Sequence, residues 1–307
     1  MVTDAELVRG AVVFSIGVSA LCILGALLAL VIYRPRSAEA PQYLREVPDD
    51  IPLVIIGALG RRGLVGDAEI AATLLDLTAQ GELTARPVRR RITGIMGGAE
   101  INTLEFAVAE GGWERMAPLE RELFTMLTET IGGHGGVGIA ELKAAARART
   151  RALRRGIARW QASVDGHAET LGLLRRSARI ARWALITAAV VALVLGALSS
   201  MVASGLEPLA ATAIGAVVSL GAAFALSPLT ADGARILAHY HAFERYLSDF
   251  GTLEDDPPAS VILWNRYLAY ATLFGIADRS LAALDMRLPA LAGMPDFEPF
   301  RAWIAAD

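Results

Sequence analysis

The chain has 307 residues, 54% of them apolar, with a formal net charge of −3 and a mean hydropathy of +0.45. An ordinary soluble domain holds about 45–50% apolar residues even with glycine counted, so the composition argues against a wholly soluble protein. Cys22 is the single cysteine, which excludes a disulfide framework and a thiolate metal site.

Residues 1–10 read as a short polar tail with Asp4, Glu6 and Arg9, expected outside the cell. Residues 11–33 follow as an uninterrupted apolar run, long enough to cross a hydrocarbon core of about 30 Å. A secretory signal would need a basic leader and a shorter apolar core. Here the leader is acidic and Tyr33-Arg34-Pro35-Arg36 follows as a stop-transfer flank, so the run reads as an uncleaved first transmembrane helix.

Residues 34–47 form a linker, and residues 48–131 read as a small domain. A short apolar helix at 51–60 precedes a turn at Arg61-Arg62-Gly63. Asp67 suits an N-cap, Ile70, Leu74 and Leu77 mark one helical face, and Gly81 stops the helix. Strands are expected at 83–88 and 102–108, separated by a loop at 89–101 with Gly94, Gly97 and Gly98. Pro118 then opens a helix to about residue 131. Helix, helix, strand, loop, strand is the order of a winged helix, with Arg86, Arg89, Arg90 and Arg91 on the wing.

That order raises nucleic-acid binding, against a solvated loop or one leaning on lipid or a partner. The helix that would enter the groove decides: residues 67–80 hold Asp67, Glu69 and Asp76 and no Lys or Arg. Phosphate neutralisation by Lys and Arg supplies most of such affinity, so nucleic acid is not the expected partner.

Residues 132–182 form an Arg-rich helical segment. Its glycine-rich start, Gly132 to Gly138, lacks the Lys-Ser/Thr of a phosphate loop and reads as a flexible connector. One long helix is expected over 139–163, and Asp165 as the cap of another leading into the membrane. Arg175, Arg176, Arg179 and Arg182 sit just before the second span. An anionic leaflet would attract each by about 1 kcal/mol, and the positive-inside preference accounts for them equally well.

Residues 183–203 and 209–226 form a membrane hairpin. Neither run contains Asp, Glu, Lys, Arg or His, whereas a transporter or pump is expected to keep ionisable groups in its spans. Both carry small residues every fourth position, including Ala192, Gly196 and Ser200 in one and Gly215, Ser219 and Ala223 in the other. Such stripes let helices approach closely in lipid, and the two are expected to face each other. The basic residues flanking the spans put the amino terminus outside and both large segments in the cytoplasm of a cell whose inner membrane holds the protein.

Charge is split across the hairpin. Residues 34–182 carry 22 basic against 18 acidic residues, a net +4, and residues 229–307 carry 6 against 11, a net −5. The two segments are therefore expected to dock on each other. The tail 229–307 reads as acidic and helical, with helices at 230–250, 261–274 and 278–288, an acidic turn at 254–258 and a short aromatic end at 297–304. His239 and His241 point apart on a helix, so they make no metal site. No catalytic residue, cofactor or metal ligand set is expected.

Particular stretches carry a family resemblance. Ala71-Ala72-Thr73-Leu74-Leu75-Asp76-Leu77 with Gly81-Glu82-Leu83, then Ala242-Phe243-Glu244-Arg245-Tyr246-Leu247, then Tyr267-Leu268-Ala269-Tyr270-Ala271 and Leu273-Phe274-Gly275-Ile276 follow one another in order. Together they resemble a family of bacterial membrane proteins known as domain of unknown function 2207. The likeness extends over about residues 48–284. It implies this topology and no activity. It also implies a β-rich extracytoplasmic domain ahead of the first span, where this sequence has the ten-residue tail. Ala242 and Ala269 stand where the family tends to have Gly and Pro.

The expected fold is a mainly α membrane protein: three transmembrane helices, a small α+β winged-helix-like cytoplasmic domain and a helical C-terminal tail. The expected role is a non-enzymatic anchor or scaffold. Its partners would be anionic lipid and another protein or a second copy. The alternative is a membrane-tethered winged-helix transcription regulator using the wing arginines.

Overall fold

The computed structural model describes residues 4–34, 38–48, 51–60, 66–94, 97–131, 136–148, 150–250 and 261–305. The first part of the chain forms helices α1 (Asp4–Ile32), α2 (Leu53–Gly60) and α3 (Asp67–Ala79), then strands β1 (Leu83–Gly94) and β2 (Gly97–Val108). Next come α4 (Gly112–Arg115), α5 (Pro118–Thr130), β3 (Gly136–Gly138), α6 (Ile139–Ala148) and α7 (Arg151–Thr170). Helices α8 (Arg176–Ala203) and α9 (Glu207–Ala225) follow. The chain ends in α10 (Ala231–Asp249), α11 (Val261–Phe274), α12 (Ala277–Arg287), α13 (Pro289–Ala292) and α14 (Glu298–Ala305). These elements divide into two compact units: residues 1–38 with 172–234, and residues 39–171 with 235–307.

The first unit is a bundle of α1, α8 and α9, each long and apolar enough to cross a membrane. Its burial pattern is that of a protein whose solvent is hydrocarbon. Leu21, Val31, Met201 and Val217 point outward, while Ala26, Ala29, Leu185, Ala222, Ala223 and Leu226 form the inner cluster. Small side chains inside and large ones outside fit association by close packing, because lipid offers no hydrophobic drive between helices.

At Gly215 and Ser219 the α9 stripe meets α1 and not the stripe of α8. Gly215 on α9 lies against Ser19 of α1, and the Ser219 hydroxyl donates to the Cys22 carbonyl at 3.3 Å. The α9 stripe therefore packs on the first span. Gly196 on α8 meets α9 on a different face, at Thr212 and Leu209. The reason is the third helix: α9 touches both α1 and α8, so its narrowest face goes to one and a neighbouring face to the other. Ser200 closes the hairpin, its hydroxyl accepting from the Leu209 amide at 3.0 Å.

At the other end of the bundle the three helices are tied by backbone carbonyls. The Ser227 amide donates to the Tyr33 carbonyl at 3.0 Å and the Arg175 amide to that of Pro228 at 2.7 Å. The Arg182 guanidinium donates to the Leu226 carbonyl at 3.1 Å, and that of Arg175 to Ile32 at 3.5 Å. Carbonyls at the ends of α1 and α9 need donors, and the Ser227 amide with Arg175 and Arg182 supplies them.

The second unit is built from chain on both sides of that hairpin. Helix α3 packs on α11 and α2, and its residues Glu69 through Leu77 are all buried. Seven buried aromatic rings from α10, its last turn and α11 close the core, including Tyr240 on Tyr270 (5.6 Å between centroids), Phe243 on Tyr267 (5.2 Å) and Phe250 on Trp264 (4.5 Å). The linker joins them: the Tyr267 hydroxyl donates to the Arg45 carbonyl at 2.5 Å, and Tyr43 to the Asp249 carboxylate at 3.0 Å. The oppositely charged segments thus share one core, and aromatic packing with these hydrogen bonds closes it.

Several elements differ from expectation. Residues 89–94 and 97–101 continue the two strands, and β1 pairs antiparallel with β2 over its whole length, from Leu83 opposite Val108 to Gly94 opposite Gly97. In a two-stranded ribbon alternate backbone groups bond across the pair and the others face solvent, so polar arginines need no buried face to stay extended. Pro87 is tolerated because β1 is the edge strand. The end of the glycine-rich stretch, Gly136–Gly138, adds a third strand on β2. Gly132, Gly133 and Gly135 lie outside the described residues, as do Arg61-Arg62-Gly63 and the acidic turn at 254–258. The helix expected over 139–163 is two helices. Thr150 starts the second, its hydroxyl accepting from the Leu153 amide, and α7 then runs through Asp165 to Thr170.

Candidate functional site

The end of α3 builds the site. Gly81 adopts φ +74°, its amide donates to the Thr78 carbonyl, and the Glu82 amide donates to Leu77. This paired arrangement is a Schellman close, which a positive-φ glycine permits. It carries the chain sharply round, so Asp76 in the last turn and Glu82 just past it line the same cleft. Gly112 fixes the far side, because its backbone presses on the Glu82 carbonyl where a Cβ would clash.

The cleft has a volume of about 650 Å³ and is lined also by Glu120, Arg115, Arg266 and Tyr270, with Ile51 and Pro52 on its apolar wall. Asp76 is 8% exposed and Glu82 7%. The Gln80 amide donates to Asp76 Oδ2 at 2.8 Å, but among the described residues Asp76 Oδ1 and Glu82 Oε2 have no hydrogen-bond partner. Arg115 donates to the Gly81 carbonyl at 2.9 Å. One Glu120 oxygen is occupied by the Ala117 amide at 2.6 Å, capping α5.

Burial pushes the Asp76 carboxyl up to about 6, with Glu120 and Glu82 adding to the rise and Arg266 and Gln80 opposing it. Burial likewise raises Glu82, helped by Glu120 and opposed by Arg115. Tyr270 is raised by burial, with Tyr240 and Asp76 adding. Buried carboxyls with perturbed titration in a cleft of ligand size are the mark of a functional site. Their chemistry is that of acceptors, and Asp76 holds its proton up to about pH 6.

Sequence reasoning treated Asp76 as a charge repelling a duplex and as part of a family stretch, and Glu82 only as part of that stretch. A signal was present: residues 70–77 are apolar almost all round. A helix of that kind is buried, so its one carboxylate must be buried too.

The residues singled out from sequence fall elsewhere. Arg175 and Arg182 bond the span ends as described, and Arg176 and Arg179 stand exposed on the first turns of α8. Arg86 is exposed on β1; the side chains of Arg89, Arg90 and Arg91 lie outside the described residues. Ala192, Gly196, Gly215, Ser219 and Ala223 are buried in the bundle. His241 meets Glu244 at 2.9 Å, exposed on α10. Among the described residues no three His, Cys, Asp or Glu side chains group to hold a metal ion.

Three apolar helices packed through small residues, joined in sequence to a folded polar unit, define an integral membrane protein of the helical class. The chain belongs to the family described as predicted membrane protein (DUF2207), C-terminal domain, whose pattern it matches over residues 40–284. No curated protein and no solved structure matches it.

Proposed function

We propose that the protein is a non-enzymatic membrane anchor that presents its polar unit on the cytoplasmic side, where that unit binds another protein or a second copy. The observation that carries this reading is the distribution of polar chemistry. The apolar runs of the spans hold no Asp, Glu, Lys, Arg or His, so they offer no relay for an ion or proton, while the second unit holds the cleft with its unmet acceptors. Arg34, Arg175, Arg176, Arg179 and Arg182 belong to the end of the bundle where the chain leaves it, which supports a cytoplasmic side by the positive-inside preference and contact with an anionic leaflet.

The role of transcription regulator is less well supported. Helix α3 would have to lie in a groove, and it is buried against α11 and α2. Cross-linking in cells followed by purification in mild detergent tests the anchor reading. The expected product is a reproducible covalent complex with a partner or with itself; recovery of the uncross-linked monomer alone would overturn it.

A further inference from the structure

We infer that the cleft at the end of α3 is a binding site for an organic cation, a guanidinium or ammonium group donating N–H bonds to Asp76 and Glu82. It stands whichever side of the membrane the unit occupies and whether or not the anchor reading holds.

Three observations carry it. First, Asp76 and Glu82 of the cleft lining are each more than nine-tenths buried, and among the described residues Asp76 Oδ1 and Glu82 Oε2, both acceptors, have no hydrogen-bond partner. An unsatisfied buried polar group is costly and rare in native proteins, and a donor is what would satisfy both. Second, three carboxylates line the cleft against two arginines. Arg115 is engaged with the Gly81 carbonyl, and the pull of Arg266 leaves the Asp76 carboxyl raised. With every group ionised the lining carries a formal excess of one negative charge. Third, the volume lies within the range of small-ligand sites, and Ile51, Pro52 and Tyr270 offer an alkyl stem a dry wall.

Binding a cation requires an ionised Asp76, so protons compete. The charged and titratable groups facing Asp76 are Arg266 and Tyr270 from α11, Glu120 from α5 and Glu82 after α3. Affinity should fall by roughly tenfold per pH unit well below the Asp76 titration, the limit for one linked proton.

The test is calorimetric titration of the full chain in detergent micelles with butylguanidinium and with butylurea, its neutral isostere. The expected result is saturable binding of butylguanidinium at neutral pH, weakening in acid, and no binding of butylurea. Asp76→Asn and Glu82→Gln should each weaken binding at least about tenfold while Glu122→Gln, outside the cleft, leaves it unchanged. A second arm titrates acetyl-Ala-Arg-Ala-amide. Tighter binding than butylguanidinium assigns the cation to a polypeptide partner's side chain, and equal or weaker binding assigns it to a free small molecule; either supports the site. Equal binding of butylurea, or no saturable signal from either guanidinium probe, overturns it. That comparison uses the unmodified chain, so it decides even where a variant fails to fold.

Discussion

Gly215 of α9 sits so close to Ser19 of α1 that a Cβ there would stand 2.7 Å from the Ser19 Cα. The neighbour is backbone and cannot rotate away. Gly215→Ala should therefore push the two helices apart and cost about 1–3 kcal/mol, the usual price of overpacking. Gly221, on the same helix, has open space around its would-be Cβ, so Gly221→Ala should gain a few tenths to about 1 kcal/mol from helix propensity alone. Denaturation of the full chain in mixed micelles checks both. Equal effects of the two substitutions would mean that α1 and α9 do not pack this way.

Trp160 joins α7 to α5. Its indole nitrogen donates to the Leu119 carbonyl at 2.9 Å, and the ring is buried. Trp160→Phe keeps most of the packing and strands that carbonyl, an expected loss of about 1–3 kcal/mol. Trp160→Ala adds a cavity and should cost about 3–5 kcal/mol. Thermal melts of the full chain should rank the three proteins in that order.

What the sequence revealed and what it hid divide along a physical line. The spans were legible because length and apolarity decide them without reference to any partner, and α11 was expected and found at 261–274 because its aromatic pattern is local. The Arg-rich part of the hairpin was hidden, since a polar ribbon has no buried face to give it a period of two. The break at Thr150 turns on one hydroxyl. The cleft was hidden most deeply. Asp76 and Glu82 become a pair only through the turn at Gly81, and they are buried partly by Tyr270 and Arg266, which follow about 190 residues later in the chain.

The proposed orientation makes a prediction of its own. In a Cys22→Ser background, a cysteine replacing Thr3 should react with a membrane-impermeant maleimide in intact spheroplasts. Cysteines replacing Gly97 or Asp255 should react only after the membrane is breached. Labelling of either of the last two in intact spheroplasts would reverse the topology and remove the cytoplasmic anchor with it.

Asp76 should leave a signature in the pH dependence of stability. Its carboxyl ordinarily titrates at 3.8 and is pushed up to about 6 in the folded chain. Between those values the native state holds more protons than the unfolded one, so this group's contribution to stability declines as pH rises from about 4 to about 6. The full difference corresponds to about 3 kcal/mol. It weighs against the folded chain above about pH 6 and vanishes below about pH 4. Asp76→Asn cannot titrate and keeps the shape. The variant should therefore be more stable than the parent at neutral pH, by up to about 3 kcal/mol, and the gap should close on acidification. Glu82, raised for the same reason, contributes with the same sign in both proteins, and its repulsion with Asp76 is lost in the variant, which widens the gap at neutral pH. Parallel melts across that range read the gap directly. A difference that stays constant with pH would show that Asp76 is not held as a buried carboxyl, and with it would go the reason for expecting the cleft to welcome a cation.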